Sequence, residues 1–341
     1  MLFETMTVIL SGRVPGREPR EPREDSVHPR RESVGDREEW EKEEDKFQKR
    51  LLTTGRLFKN GWGVRMIRKA NLACSIIGFL LAFSLPVHAA WEIGGKAGFD
   101  SNVNRAVSGG DSDTYLGGYL QYAREATGET RLDWTFSASL EGNVFLKNND
   151  LSNGSLTLAP GLTFFPYLTW SINVSPFIQG KAVADSEQSA VAFGAKVSLK
   201  QPIGKNVYLG EYYVYTDSRA NEDVYSYTEN ALGIYLGVNW TRAFFTEVGY
   251  EFSRGDSFRS IPTTTTTVSG GRGRGKQQQF SSTFGNVVFK EKVDRNSFGA
   301  TAGIELSPSL FSNFSYTYST LKGDLGTSID HTGFIGLSYH F

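Results

Sequence analysis

The sequence predicts an all-β fold, a transmembrane antiparallel β-barrel of about twelve strands behind a disordered N-terminal extension. Three observations carry this. From Trp91 onward apolar and polar residues alternate with the period of 2 of a strand between two environments, and helical periodicity is absent. The connections between these stretches alternate short and long, as do the periplasmic turns and extracellular loops of a membrane barrel. In the last stretch, Gly333, Ile335, Leu337, Tyr339 and Phe341 fall on one side, and Phe334, Gly336, Ser338 and His340 on the other. An apolar, unpaired edge strand invites aggregation in water. In a membrane its outer face meets lipid and its edge pairs with the first strand.

The N-terminal part reads differently. Residues 1–65 are polar and densely charged, and cannot bury enough apolar area to offset chain entropy. Met66-Ile67-Arg68-Lys69 then begins a basic segment, followed by an apolar core around Ile76–Phe83 and by Val87-His88-Ala89. That order is a secretory signal peptide over 66–89 with Val87 and Ala89 at −3 and −1. Translation is expected to start at Met66, which makes 1–65 a gene-start artefact. A cytoplasmic extension before a signal anchor is the rival. The barrel domain is 90–341. Cys74, the single cysteine, lies in the apolar core with Asn71 three residues before it, a poor lipidation signal.

Residues 1–89 hold 16 Lys/Arg and 13 Asp/Glu of the chain's 36 and 37, which leaves 20 and 24 in the body. A mildly acidic body argues against nucleic acid as a partner.

Strands are expected at about 91–103, 113–125, 130–145, 154–165, 169–182, 189–200, 204–217, 226–240, 243–254, 294–306, 310–322 and 330–341. In the third, Leu132, Trp134, Phe136, Ala138, Leu140 and Val144 oppose Asp133, Thr135, Ser137, Ser139, Glu141 and Asn143. The eighth and ninth alternate in the same way. Trp91, Trp134, Trp170 and Trp240 each lie near an expected periplasmic turn or the start of the body. Tyr213, Tyr215, Tyr225, Tyr227, Tyr316 and Tyr318 lie toward the opposite ends. Such clustering suits two interfacial girdles, where an amphipathic ring sits half in lipid.

Residues 255–293 are long for one loop of a compact barrel. A strand pair extending beyond the membrane, or a loop folded into the mouth, is expected, with a fourteen-stranded barrel as the alternative. Thr263–Thr267 have strand propensity, and Gln277–Lys290 reads as a further strand with Phe280, Phe284 and Val288 spaced by four. Arg272, Arg274 and Lys276 form a basic tip, a solvated charge run or a contact for anionic lipopolysaccharide.

Two stretches carry resemblances. The ending Ile335-Gly336-Leu337-Ser338-Tyr339-His340-Phe341 resembles the C-terminal signal of bacterial outer-membrane β-barrels. This implies that Tyr339 and Phe341 are read by the barrel assembly machinery and that the surroundings are outer-membrane lipid and lipopolysaccharide. Gly98-Phe99-Asp100-Ser101-Asn102-Val103-Asn104-Arg105 resembles the opening strand of several outer-membrane barrel families. Among them are porins associated with exopolysaccharide systems and the barrel part of surface-lipoprotein assembly modifiers. The match covers eight residues and not the helical repeats of those modifiers.

No catalytic constellation and no metal site is expected, because His331 and His340 are the only histidines of the body. His331 falls on the lipid-facing parity near the outer rim, where an outer-membrane phospholipase places a Ser/His pair. Ser319 or Ser328 would be a partner by proximity alone, and the phospholipase motif is lacking. No cofactor is implied. The inward charges are the functional handle: Glu92, Lys96, Asp100, Arg131, Asp133, Glu141, Lys181, Lys196, Glu211, Glu229, Glu247, Glu251 and Glu305, with Asn102 and Asn104 beside Asp100. Ionisable groups at membrane depth are costly unless they face water or a partner. The interior is therefore a wet channel or a closed network of ion pairs. Acids outnumber bases, so an open lumen would favour cations. The sequence thus predicts a porin-like channel for small hydrophilic solutes with modest cation preference. The alternative is a structural or interaction barrel with a closed lumen, whose loops bind a surface polysaccharide or partner.

Overall fold

The computed structural model describes residues 89–167, 169–261 and 278–341. The extension 1–65, the signal segment up to residue 88 and the basic tip with Arg272, Arg274 and Lys276 lie outside the described residues, as do Thr263–Thr267.

The described chain is a single antiparallel sheet closed on itself. In order its strands are β1 (Ala89–Asp100), β2 (Asp113–Arg124), β3 (Leu132–Phe145), β4 (Asn153–Phe164), β5 (Ser171–Val183), β6 (Ala190–Pro202), β7 (Val207–Ala220), β8 (Tyr227–Asn239), β9 (Phe244–Ile261), β10 (Gln278–Ser281), β11 (Asn286–Ser307), β12 (Leu310–Gly323) and β13 (Gly326–His340). Twelve of them form the barrel, because β9 pairs directly with β11 and β13 pairs with β1. Closure leaves no unpaired edge in the lipid, the condition for spanning with strands.

The long region resolves as a strand pair. β9 and β11 stay paired from Phe244 and Ile304 out to Ile261 and Val287, past the points at Gly255 and Asp294 where β8 and β12 leave them. Gln277–Lys290 is not one strand: β10 ends at Ser281, and a turn with Gly285 at positive φ reverses it into β11. The spacing of Phe280, Phe284 and Val288 thus belongs to a hairpin. One expected alternation fails. The β12–β13 connection, expected to be long and polar, is a tight turn, with Gly323 opposite Gly326. Gly326 has φ +122°, which only glycine adopts cheaply.

The outer face is the apolar belt the alternation predicts. Leu116, Leu120, Leu140, Leu156, Leu162, Val174, Phe193, Leu232, Val248, Phe298, Phe314, Ile335 and Leu337 are all exposed. Trp91 packs on Tyr122, and Trp170 packs on Tyr167 in the β4–β5 turn, at the end where the barrel's short turns lie. Trp134 carries Arg124 across its ring at 3.7 Å. At the other end Tyr213 donates to Asn230, and the Tyr316 hydroxyl meets His331 Nδ1 at 2.7 Å. Two expected girdle members do not join. Tyr225 is buried in a loop cluster, and Tyr227 shares the inward parity of Glu229.

Candidate functional site

The candidate site is the barrel interior, whose wall has two unlike halves. From β3 to β6 the inward residues are small and mostly uncharged. Thr135, Ser137 and Ser139 on β3, Ser155 and Thr157 on β4, Asn173, Ser175 and Gln179 on β5, and Ser198 on β6 are all half-buried. Asn173 Nδ2 donates to Thr135 and Thr163 at 3.1 and 2.8 Å, and Gln179 Nε2 to Thr157 at 3.0 Å. Their mutual bonds leave donors and acceptors turned to the interior.

From β7 round to β2 the wall is packed. Thr216, Ser253, Ser297 and Ser338 are buried, and so are Lys96, Glu229, Glu247 and Glu251. Buried charge is tolerated only with partners. Lys96 Nζ sits 2.8 Å from Glu141 Oε1, and Asn143 Nδ2 donates to the same oxygen at 2.9 Å. Arg295 Nη1 lies 3.2 Å from Glu229 Oε1, which also accepts from Ser253 at 2.7 Å.

A repeated unit links the two halves. Lys196 and Lys200 on β6, Tyr208 and Tyr212 on β7, and Glu247 and Glu251 on β9 are each four residues apart, roughly 13 Å along a strand. In the outer tier Lys196 Nζ stands 5.3 Å over the Tyr212 ring, and the Tyr212 hydroxyl donates to Glu251 Oε2 at 2.8 Å. In the inner tier Lys200 Nζ stands 4.2 Å over the Tyr208 ring, and the Tyr208 hydroxyl donates to Glu247 Oε1. Tyr235 on β8 lies between them, 6.3 and 6.4 Å from the two rings. The rings lie flat on facing glycines. A Cβ at Gly237, Gly233 or Gly210 would fall 2.1, 2.2 or 1.9 Å from Tyr208, Tyr212 or Tyr235 respectively. Glycine in a strand here marks close approach of a ring to the backbone.

The outer mouth is covered. Val103, Tyr115, Phe145, Leu151, Val224, Tyr225, Phe258, Phe284 and Val288 belong to one apolar cluster. They come from the β1–β2 loop, from β2, β3, β9 and β11, from 3-10 turns at 149–151 and 223–225, and from the turn before β11. Elements so far apart round the rim can share a cluster only across the opening. Beside it, the β1–β2 loop folds inward. Ala106 bridges Ser260, and Arg105, at φ +49°, donates from Nη1 to Ser257 at 2.7 Å. Arg259 donates to the Arg105 carbonyl and lies 3.6 Å from Glu291. Both side chains of that pair are excluded from solvent.

Of the sequence-predicted residues, Lys96, Asp100, Asp133, Glu141, Lys181, Lys196, Glu229, Glu247, Glu251 and Glu305 are on inward parity. Asp133 is tied to the rim by Arg124 and Thr127, at 3.2 Å from Arg124 Nη2. Three placements differ. Arg131 is exposed in the β2–β3 turn, since β3 starts only at Leu132. Glu211 faces out between Leu209 and Tyr213, because Tyr208, Gly210 and Tyr212 take the inward positions of β7. Asn102 and Asn104 do not alternate into the lumen, because β1 ends at Asp100. Both are buried loop staples. Asn102 accepts from Ala106 N at 2.8 Å, and Asn104 accepts from Asp111 N at 3.2 Å. His331 bonds Tyr316, while Ser319 meets Ser297 and Ser328 shares its inward parity, so neither serine pairs with it. Among the described residues no His/Cys/Asp/Glu group is arranged to hold a metal ion.

The closed sheet, apolar belt and paired aromatic girdles define a β-barrel of the bacterial outer membrane. No protein-family model and no curated protein matches the sequence. Among solved structures, an outer-membrane channel from Pseudomonas putida F1 aligns over 76% of this chain and 97% of its own, at 10% identity and a TM-score of 0.50. The KdgM porin in complex with disordered oligogalacturonate aligns over 73% and 99%, at 7% identity and 0.43. The NanC porin aligns over 72% and 98%, at 11% and 0.43. With the Pseudomonas putida F1 channel the chain shares a β-barrel fold.

Proposed function

We propose that this protein is an outer-membrane channel for small hydrophilic solutes with modest cation preference. The observation that carries the reading is the β3–β6 wall, polar and half-exposed on its inner face, where small uncharged residues stand between Asp133, Glu141, Lys181, Lys196 and Lys200. A purely structural barrel of this size would gain from packing that wall as it packs the other. The preference follows from charge. On inward parity the acids Glu92, Asp100, Asp133, Glu141, Glu229, Glu247, Glu251, Glu305 and Asp330 outnumber the bases Lys96, Lys181, Lys196, Lys200 and Arg295. Low-dielectric walls focus the field of the excess acids. Conductance of residues 90–341 refolded into a planar bilayer tests it, alone and as Glu247→Gln with Glu251→Gln. Discrete cation-selective steps that lose selectivity in the variant are expected. Selectivity unchanged by the variant would refute the role of these carboxylates. We further propose that the barrel assembly machinery reads Tyr339 and Phe341, which are exposed on the outer face, and that lipopolysaccharide surrounds the outer girdle.

A second reading is a structural or interaction barrel with a closed lumen, linked to a surface polysaccharide or partner. The apolar cluster across the mouth favours it.

A further inference from the structure

The barrel strands and the hairpin over the mouth are held in different ways. Each barrel strand is paired along both edges. β10 pairs with β11 alone, through Gln278–Ser281 against Asn286–Phe289, and its other edge has no strand partner among the described residues. Across the opening the hairpin is fastened by side chains only. Gln279 Nε2 donates to Glu187 Oε2 at 3.0 Å, and the Thr283 hydroxyl donates to Asp185 Oδ2 at 2.8 Å. Asp185 and Glu187 belong to the β5–β6 loop, on the far side of the mouth from β11. Phe284, at the turn, stacks on Phe258 at 5.8 Å and is one of the buried members of the cluster.

From this arrangement we propose that the hairpin Gln278–Phe289 is a lid that closes the outer mouth and swings clear of it as a unit. The proposal rests on the channel reading above. Releasing the lid breaks the two side-chain bonds to the β5–β6 loop, withdraws Phe284 and Val288 from the cluster and parts Val287–Phe289 from Arg259–Ile261, and it leaves the ladder from Lys290 inward paired. Local opening draws on such short terminal pairings at the end of a ladder. The inward loop with Arg105 is not part of the moving piece. It is pinned to β9 by the Ala106–Ser260 bridge and by Arg259. The hairpin's own ladder, Gln278–Ser281 against Asn286–Phe289 about a turn with Gly285 at φ +60°, moves with it.

The test uses the full chain, processed and refolded into planar bilayers, in three forms: wild type, Phe284→Ser, and Asp185→Cys with Thr283→Cys. Heat-dependent gel mobility confirms that each is folded. Wild type is expected to flicker between closed and open levels. Phe284→Ser should raise the open probability by at least about tenfold, because the buried ring stabilises only the closed state. The oxidised double-cysteine form should stay closed, and reduction should restore openings. Openings that neither Phe284→Ser nor oxidation alters would overturn the lid and leave the channel standing. Silence of all three forms, reduced as well as oxidised, would overturn both.

Discussion

Replacing Lys96 by Met tests the packed half of the wall most directly. The ammonium is 2.8 Å from Glu141, with the two side chains 4% and 12% exposed, and it lies 5.6 and 5.3 Å from the ring centroids of Tyr115 and Phe334. Met matches the Lys stem in shape, so the rings keep their contact. Glu141 keeps its bond from Asn143 and loses its only salt bridge among those formed by the described residues. Leaving one partner of a buried pair unpaired costs about 3–5 kcal/mol. The residual exposure of Glu141 lets lumen water reach it, which places the expected loss near the lower end, about 3 kcal/mol. Adding Glu141→Gln removes the orphaned charge but retains the Asn143 contact. The double variant should therefore recover to within about 1 kcal/mol of wild type. Urea unfolding in lipid vesicles, followed by tryptophan fluorescence and gel mobility, measures all three. A single variant as stable as wild type, or a double variant no better than the single, would refute the claim that this pair closes the wall.

Glu211→Leu should stabilise the barrel by up to about 2 kcal/mol in the same assay, since it removes a carboxylate from the lipid face; a loss of stability would place Glu211 in a contact of its own. Gly237→Val puts a side chain where Tyr208 lies flat, and should cost about 1–3 kcal/mol by displacing the ring. Gly180→Ala, with nothing within 4 Å of its Cβ, is the matched control and should be neutral. Arg259→Met leaves Glu291 buried without its cation. The expected readout is faster protease cleavage in the β1–β2 and β12–β13 connections with barrel stability kept, because Arg259 holds the Arg105 carbonyl and Glu291 the Leu325 amide. Unchanged cleavage would show that the mouth is held by the apolar cluster alone.

The strands were legible because each is long, alternates with period 2 and is bounded by turn residues, which fixes most strand starts within a few positions; β9 and β11 run seven and eight residues past their expected outer ends. Strand parity was legible wherever one face is apolar and the other is not, as in β3 and β13. It failed in β7 for a physical reason. Val207-Tyr208-Leu209-Gly210-Glu211-Tyr212-Tyr213-Val214-Tyr215 places tyrosine on both faces, and tyrosine is at home against lipid headgroups and against an inner wall alike. What decides the parity is tertiary: two hydroxyls that reach Glu247 and Glu251, and a glycine under the Tyr235 ring.

The same point explains how the tiers escaped a reading that had already singled out Lys196, Glu247 and Glu251. Taken one strand at a time, an acid pair is a patch and a lysine is a wall residue. Taken together, Lys196/Lys200, Tyr208/Tyr212 and Glu247/Glu251 repeat one spacing on three stretches, with Gly210, Gly233 and Gly237 at the facing positions. A spacing shared by strands that are neighbours or next neighbours is a statement about register, which fixes who meets whom across a sheet. Loop placement has no such periodic signal. The inward fold of Ser101–Ser112 depends on Asn102 bonding the Ala106 amide and the Ile329 carbonyl, a contact between residues more than two hundred positions apart. The wall of this barrel can therefore be read from sequence once several strands are compared, whereas its mouth is set by long-range contacts that no single stretch contains.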